Sequence, residues 1–312
     1  MGTPEFAVPS LRAIHASRHQ IVGIVSQPDR PKGRGQKLIP TPVKQAALEL
    51  GLGPVLQPEK LREPDFLAAL QALNADLFAV VAFRIMPEAV FAMPPQGTVN
   101  LHPSALPKYR GAAPLHWTVL NGDSQTAITT IFIQREIDAG NIILQEPRPV
   151  YPEDTTGDLH DRLSEDGAQL LVKSLDLIAA GEVVPQRQDN SLATPARKLT
   201  REDCLLSFDQ PARAVRNRIM GLSPFPGAYT FLGDQVLKLY RARVIAENEQ
   251  AGKPGTVLRA AGDQILIACN PGTVSILECQ LQGRKRLDAE TFLRGTPLEE
   301  GQVLGNGENE KR

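Results

Sequence analysis

The chain has 312 residues, 34 Lys+Arg against 35 Asp+Glu, and 42% hydrophobic residues; at roughly 150 residues per domain that suggests two domains. Balanced charge excludes a uniformly basic nucleic-acid coat protein and a chain disordered by self-repulsion. No apolar run is longer than Leu77–Phe83, so no bilayer-spanning helix is expected, and three cysteines without a Cys-x-x-Cys pair fit a reduced cytoplasmic chain with no metal site.

Met1-Gly2-Thr3-Pro4 reads as the loop that follows a strand, and Pro4, Glu5 and Pro9 interrupt any secretory leader. A doubly wound domain opens with a central strand, so a start about eight residues earlier is expected from typical strand length. The alternative is a fold that never had that strand. Gln20–Ser26 is β-branched and apolar and reads as a buried strand. A helix follows over 42–50, with Thr41 as N-cap and Gly51 as its stop. Val55–Leu56 is a short strand, 65–73 a helix with Phe66, Leu67, Leu70 and Leu73 at helical spacing, 77–83 a buried strand and 97–101 another. Residues 115–120 read as helix, 127–133 and 142–145 as a strand pair, and 156–180 as a long helix with Leu159, Leu163, Leu170, Leu171 and Leu175 inward. This alternation predicts an α/β domain over 1–181, Rossmann-like with a mostly parallel sheet.

Residues 182–205 are polar and carry Pro185, Pro195, Arg197, Lys198 and Arg201, which reads as a linker. Residues 206–312 hold one helical stretch, 212–220, and then short strands at 228–231, 236–242, 255–259, 264–268 and 274–279. Closely spaced strands with glycine turns predict a small OB-like β-barrel, and the tail from Glu299 reads as frayed. Residues 206–298 carry a net charge of +4 and residues 1–205 a net −3, so the second domain is the basic one.

Nucleotide and hydrolase motifs are absent: there is no G-x-G-x-x-G, no G-x-x-x-x-G-K-[ST] and no G-x-S-x-G. The densest polar segment is Asn100-Leu101-His102-Pro103-Ser104-Ala105-Leu106-Pro107, where an apolar strand ends. Ligands bind at that edge of open α/β sheets. Asn100 and His102 stand two apart, so an extended backbone points both to one side, where amide and imidazole can donate to one developing oxyanion. A strand-end histidine satisfied by backbone is the competing reading. Ile137-Asp138-Ala139-Gly140 is a second candidate. Asp-x-Gly is ordinary turn composition, but a carboxylate near His102 would hold an imidazolium ready as a donor. The third is Gln27–Lys37, where Arg30, Lys32, Arg34 and Lys37 against Asp29 make a basic loop that could grip a polyanion or simply be solvated.

These motifs, with Gly2-Thr3-Pro4-Glu5-Phe6, Tyr109-Arg110-Gly111-Ala112-Ala113-Pro114 and Pro224-Phe225-Pro226-Gly227-Ala228 in the same order, resemble the folate-dependent formyltransferases and, within them, the methionyl-tRNA formyltransferase family. The resemblance runs from Gly2 to about Leu293. It implies formyl transfer from 10-formyltetrahydrofolate to the α-amino group of Met on initiator tRNA, with folate and initiator Met-tRNA as partners; a monomer is expected separately, and the sequence does not fix oligomeric state. It implies that Asn100, His102 and Asp138 are catalytic, that Ser104, Ala105, Leu106 and Pro107 with the loop Phe83, Arg84, Ile85 and Met86 bind folate, and that Arg30, Lys32, Arg34 and Lys37 contact tRNA, Arg34 foremost. This sequence departs from the family at Ala105, where Leu is usual, at Phe83-Arg84, where tRNA enzymes often have Tyr-Gly, and at Asn141, where Asp is common. Two alternatives remain: the same chemistry on an amino sugar, a glycinamide ribonucleotide or water, and a non-enzymatic RNA-binding protein.

Overall fold

A computed structural model describes residues 1–32 and 37–305. In chain order its elements are α1 (Val8–Ala16), β1 (Ile24–Val25), β2 (Arg30–Lys32), β3 (Lys37–Ile39), α2 (Pro42–Glu49), β4 (Val55–Leu56), α3 (Pro64–Ala72), β5 (Phe78–Val81), α4 (Glu88–Phe91), β6 (Thr98–His102), β7 (Arg110–Gly111), α5 (Pro114–Leu120), β8 (Gln125–Phe132), β9 (Ile142–Pro149) and α6 (Thr156–Ala180). The rest are β10 (Pro195–Ala196), α7 (Arg201–Cys204), α8 (Ala212–Gly221), β11 (Ala228–Leu232), β12 (Gln235–Ala246), β13 (Val257–Ala261), β14 (Gln264–Ala268), β15 (Thr273–Leu281), β16 (Leu287–Asp288) and α9 (Ala289–Gly295).

The chain forms two compact units. The first comprises Met1–Ala112, Gln125–Pro149 and His160–Ala196, and the second Ala113–Ser124, Val150–Leu159 and Arg197–Arg312. Residues 182–196, expected to be linker, thus belong to the first unit: Gln186 pairs with Ile142, and β10 pairs in parallel with β7.

In the first unit, β1–β4 and β5–β6 pair in parallel, whereas β6–β8 and β8–β9 are antiparallel, giving a mixed sheet ordered β5-β6-β8-β9 beside the β1–β4 pair. Helix α6 covers it. Leu163, Leu170 and Leu171 are buried, and Thr130 Oγ1 shares a hydrogen bond with Ser174 Oγ across the contact. A Cβ on Gly167 would lie 2.9 Å from Leu101 Cδ2, so glycine there lets α6 lie flush on the strand that carries Asn100 and His102.

Strand β1 is shorter than the apolar run Gln20–Ser26 predicts. Among the described residues, Met1 and Gly2 lie between β1 and β5: Gly2 N–H donates to Val25 O (3.0 Å), Val81 N–H donates to Met1 O (2.9 Å), and the terminal amine donates to Ala79 O (2.6 Å). A strand needs partners on its flanks to satisfy its backbone, and the seam supplies one bridge, Gly2 with Val81. Below it lies a cavity of about 330 Å³ lined by Leu11, Ile14, Gly23, Leu77, Ala79 and Leu175 among others. Burial lowers the Met1 amine from 8.0 to about 5.

The second unit is β-rich and antiparallel, in the order β11-β12-β15-β14-β13, with β16 on β15. Its core gathers Val215 and Ile219 of α8, Leu237 and Leu239 of β12, Ile265 and Ile267 of β14, Ile276 of β15 and Phe292 of α9. The tail is not frayed throughout: Gly301 and Leu304 N–H groups donate to Val257 and Gly255 carbonyls, and Leu304 is buried. Among the described residues no helix is long and apolar enough to cross a membrane.

Candidate active site

Strand β6 is buried along its length except at Asn100, which is partly exposed, and it presents Asn100 and His102 on the same face while Leu101 faces α6. Both meet Asp138. Asn100 Nδ2 donates to Asp138 Oδ1 at 3.4 Å, and His102 Nδ1 lies 3.6 Å from Asp138 Oδ2. The other imidazole nitrogen, Nε2, is 2.9 Å from Tyr109 O. A carbonyl oxygen only accepts, so Nε2 carries a proton, and a second proton on Nδ1 would point at the carboxylate. Both side chains of this pair are largely withdrawn from water, at 5% and 15% exposure, so a charge arising between them is poorly screened.

Asp138 is held from several directions. Gly111 N–H donates to Oδ2 at 2.9 Å. The residue itself has φ +51, a left-handed conformation that non-glycine residues adopt rarely and Asp more readily than most. The glycine two residues on has a steric reason: a Cβ at Gly140 would sit 1.6 Å from Phe132 O. Gly111, with φ +125, is required in the same way, because a Cβ there would lie 2.7 Å from Ala196 O across the β7–β10 pairing.

The segment after β6 is fixed from within. Ser104 is fully buried, its hydroxyl donating to Lys108 O and its carbonyl accepting from Thr129 Oγ1 (2.7 Å each). Gln145 Nε2 donates to Leu106 O at 2.9 Å and to Thr129 Oγ1 at 2.9 Å. With Ser104 and Leu106 turned inward, Ala105 and Pro107 are the less buried members of the segment. In the loop 83–86, Phe83 and Met86 pack on the core that contains Phe66, Leu70 and Phe78. Arg84 donates to Glu59 O (2.8 Å) and to Pro58 O, and lies over the Phe83 ring at 5.6 Å. Ile85 projects outward, 77% exposed.

The basic loop is a hairpin stem, β2 against β3, with Arg30 opposite Ile39 and Lys32 opposite Lys37. Arg30 is exposed, while Arg34 lies outside the described residues. The base of the hairpin is anchored by Asp29, which accepts from Lys44 Nζ and Gln57 Nε2; the Lys44 hydrogen bond holds its carboxyl below the usual range. In the second unit several basic residues are already engaged: Arg213 with Glu247, Arg286 with Glu278, and Arg218 with Asp203 O. Arg216, which donates to Asn217 Oδ1 at 2.9 Å, is also desolvated, which lowers its pKa.

Sequence reasoning missed the strap at 186–196. Gln188 Nε2 donates to Asp138 O (2.8 Å) and Gly140 O (2.7 Å), and its Oε1 accepts from Arg110 Nε (3.0 Å) and NH2 (2.7 Å). Tyr109 N–H donates to Thr194 Oγ1 and Arg110 N–H to Thr194 O, at 2.9 Å each. Nothing in the polar, Pro-bearing composition of this stretch signals that Gln188 is buried.

The chain as a whole has counterparts among known proteins. A family profile described as formyl transferase matches residues 1–175, and one described as formyl transferase, C-terminal domain, matches 198–297. A methionyl-tRNA formyltransferase of Pelotomaculum thermopropionicum is 48% identical over 98% of this chain and 97% of its own length. One of Moorella thermoacetica is 45% identical over 98% of each. Among solved structures, WlaRD, a sugar 3N-formyl transferase crystallised with dTDP and 5-N-formyl-THF, superposes with a TM-score of 0.63 at 19% identity over 91% of this chain and 97% of that one. HypX from Aquifex aeolicus in complex with tetrahydrofolic acid superposes with a TM-score of 0.58 at 20% identity, covering 78% of this chain and 44% of that one. At those identities the solved structures speak for the fold alone, but the two profiles and the near full-length relatives together establish that the chain belongs to the formyltransferase family, among the methionyl-tRNA formyltransferases.

Proposed function

We propose that this protein transfers the formyl group of 10-formyltetrahydrofolate to the α-amino group of methionine on initiator tRNA, acting as a cytoplasmic monomer. The observation that carries the reading is the convergence of Asn100 and His102 on the Asp138 carboxylate, 3.4 and 3.6 Å away, in a chain whose relatives named methionyl-tRNA formyltransferase match it end to end. The tetrahydrofolic acid of HypX and the 5-N-formyl-THF of WlaRD support a folate-derived donor.

The residues divide the work as follows. Asn100, through the Nδ2 hydrogen that Asp138 does not take, donates to the formyl oxygen as negative charge builds there during attack by the free amine, and a protonated His102, its N–H groups held by Tyr109 O and Asp138, stabilises that charge through its own positive charge. Asp138 keeps His102 oriented and takes the proton that the amine sheds as the new C–N bond forms. That proton then passes to N10 of the folate as the old C–N bond breaks, so no external oxidant, metal or nucleotide is needed. Ser104, Ala105, Leu106 and Pro107, stiff through the Thr129 and Gln145 hydrogen bonds, and the loop Phe83, Arg84, Ile85 and Met86, tied down by Arg84, form the folate-binding walls. Ligand selection there falls to backbone groups, Ala105 and Ile85, since Ser104 and Leu106 are buried.

Arg30, Lys32, Arg34 and Lys37 grip the acceptor end of the tRNA, with Arg34 the principal contact. A small acceptor such as an amino sugar has no need of this basic loop, whereas the second unit does not discriminate, since the sugar 3N-formyl transferase WlaRD superposes over 91% of this chain. The test supplies 10-formyltetrahydrofolate with Met-charged initiator tRNA, Met-charged elongator tRNA, an amino sugar nucleotide or no acceptor. Formylation of the initiator alone is expected. Turnover without any tRNA would assign the protein to hydrolysis or to a small acceptor instead.

A further inference from the structure

We propose that Gln188 is a positioning residue for formyl transfer, holding the turn that aims the Asp138 carboxylate at Asn100 and His102. The proposal rests on the reading of Asp138 as part of the catalytic set. Gln188 is 6% exposed, and both ends of its amide are used. The nitrogen donates to the carbonyls of Asp138 and Gly140, on either side of Ala139, and the oxygen receives Nε and NH2 of Arg110. Two carbonyls demand a donor and a guanidinium demands an acceptor, so among side chains of this length only an amide meets both.

What the clamp joins gives it a consequence for chemistry. On one side is a turn whose Asp138 has φ +51, a conformation that persists only where its surroundings over-determine it. On the other is the segment 109–111, whose Tyr109 carbonyl accepts from His102 Nε2 and whose Gly111 N–H donates to Asp138 Oδ2. One amide therefore keeps in register the two backbone segments that touch the imidazole and the carboxylate. The strap bearing Gln188 is itself fixed at both ends, by the Gln186–Ile142 bridge and by the β10–β7 pairing. Its neighbour Asn190 takes a further hydrogen bond from Arg110 NH2 at 2.8 Å. A displacement of about 1 Å in a reacting group can cost on the order of a hundredfold in rate.

The test is single-turnover and steady-state formylation by the full chain carrying Gln188→Glu, Asp138→Asn or both. Glutamate keeps the size and the Arg110 partner but turns an acceptor toward two carbonyls. Gln188→Glu is expected to lower kcat roughly 10- to 100-fold while both KM values stay within about threefold. In the Asp138→Asn background it should cost less than about threefold more, because its effect runs through that carboxylate. Should the glutamate variant fail to fold by thermal melting, Gln188→Met, isosteric and without the repulsion, carries the same test. A kcat within twofold of the parent, or a loss that multiplies in full with that of Asp138→Asn, would overturn the proposal. Full activity in Asp138→Asn alone would instead remove the reading of Asp138, and this inference with it.

Discussion

The carboxyl end of β6 and the seam between β1 and β5 lie in the same unit and are closed in opposite ways. At the first, groups from positions 100, 102, 111, 138 and 188 meet within hydrogen-bond or ion-pair distance, and the backbone turns are fixed by glycines that a Cβ would disrupt. At the second, one two-residue bridge spans two strands above a cavity of about 330 Å³ with a buried amine. Rigidity where chemistry occurs is thus built from polar contacts between segments far apart in sequence. At the seam, Ile24 and Val25 alone of the apolar run at 20–26 are strand.

Three substitutions sharpen that contrast. The largest effect is expected from Gly140→Ala, because the added carbon would meet Phe132 O at 1.6 Å and the Asp138 turn could not keep its course. Formylation should fall at least ~100-fold, with a lower melting temperature for the same reason. Activity near that of the parent would mean the turn is far softer than its contacts imply.

Next comes the seam, where Gly2→Val should lower the melting temperature, because a Cβ at Gly2 would lie 2.8 Å from Ala7 Cβ and 3.0 Å from Val81 O. Thermal melts of the two chains measure it, and a melting temperature equal to the parent's would mean that the seam yields at no cost.

The smallest effect is expected at Arg34→Ala, which should weaken productive tRNA binding about tenfold, reduce the salt slope by about one and leave folate affinity unchanged. Identical tRNA kinetics at two salt concentrations would remove the hairpin from the acceptor site.

Much of this was legible in the sequence where a single period carried the signal. Helix α6 runs over the predicted residues because its leucines recur at helical spacing around Gly167, and Asn100 and His102 share a face because strands alternate. Helix α1 was hidden by Pro9, which breaks a leader but sits comfortably in a first helical turn. The strap at 186–196 was read as linker because its order comes from Gln188, Thr194 and a two-residue strand pairing, none of which leaves a periodic trace. Leu304 likewise anchors a tail whose composition looks mobile. Proximity of Asp138 to His102 had no signature in spacing at all. It exists because Gly111, Gly140 and Gln188 shape two loops around one carboxylate.

The measurement that tests the account most directly is the single-turnover rate of formyl transfer to Met-charged initiator tRNA by His102→Ala beside the parent chain, at saturating 10-formyltetrahydrofolate. The account predicts a rate lower by about two to four orders of magnitude with tRNA affinity retained. A loss of less than tenfold would contradict the assignment of His102, and with it the carboxylate-centred site.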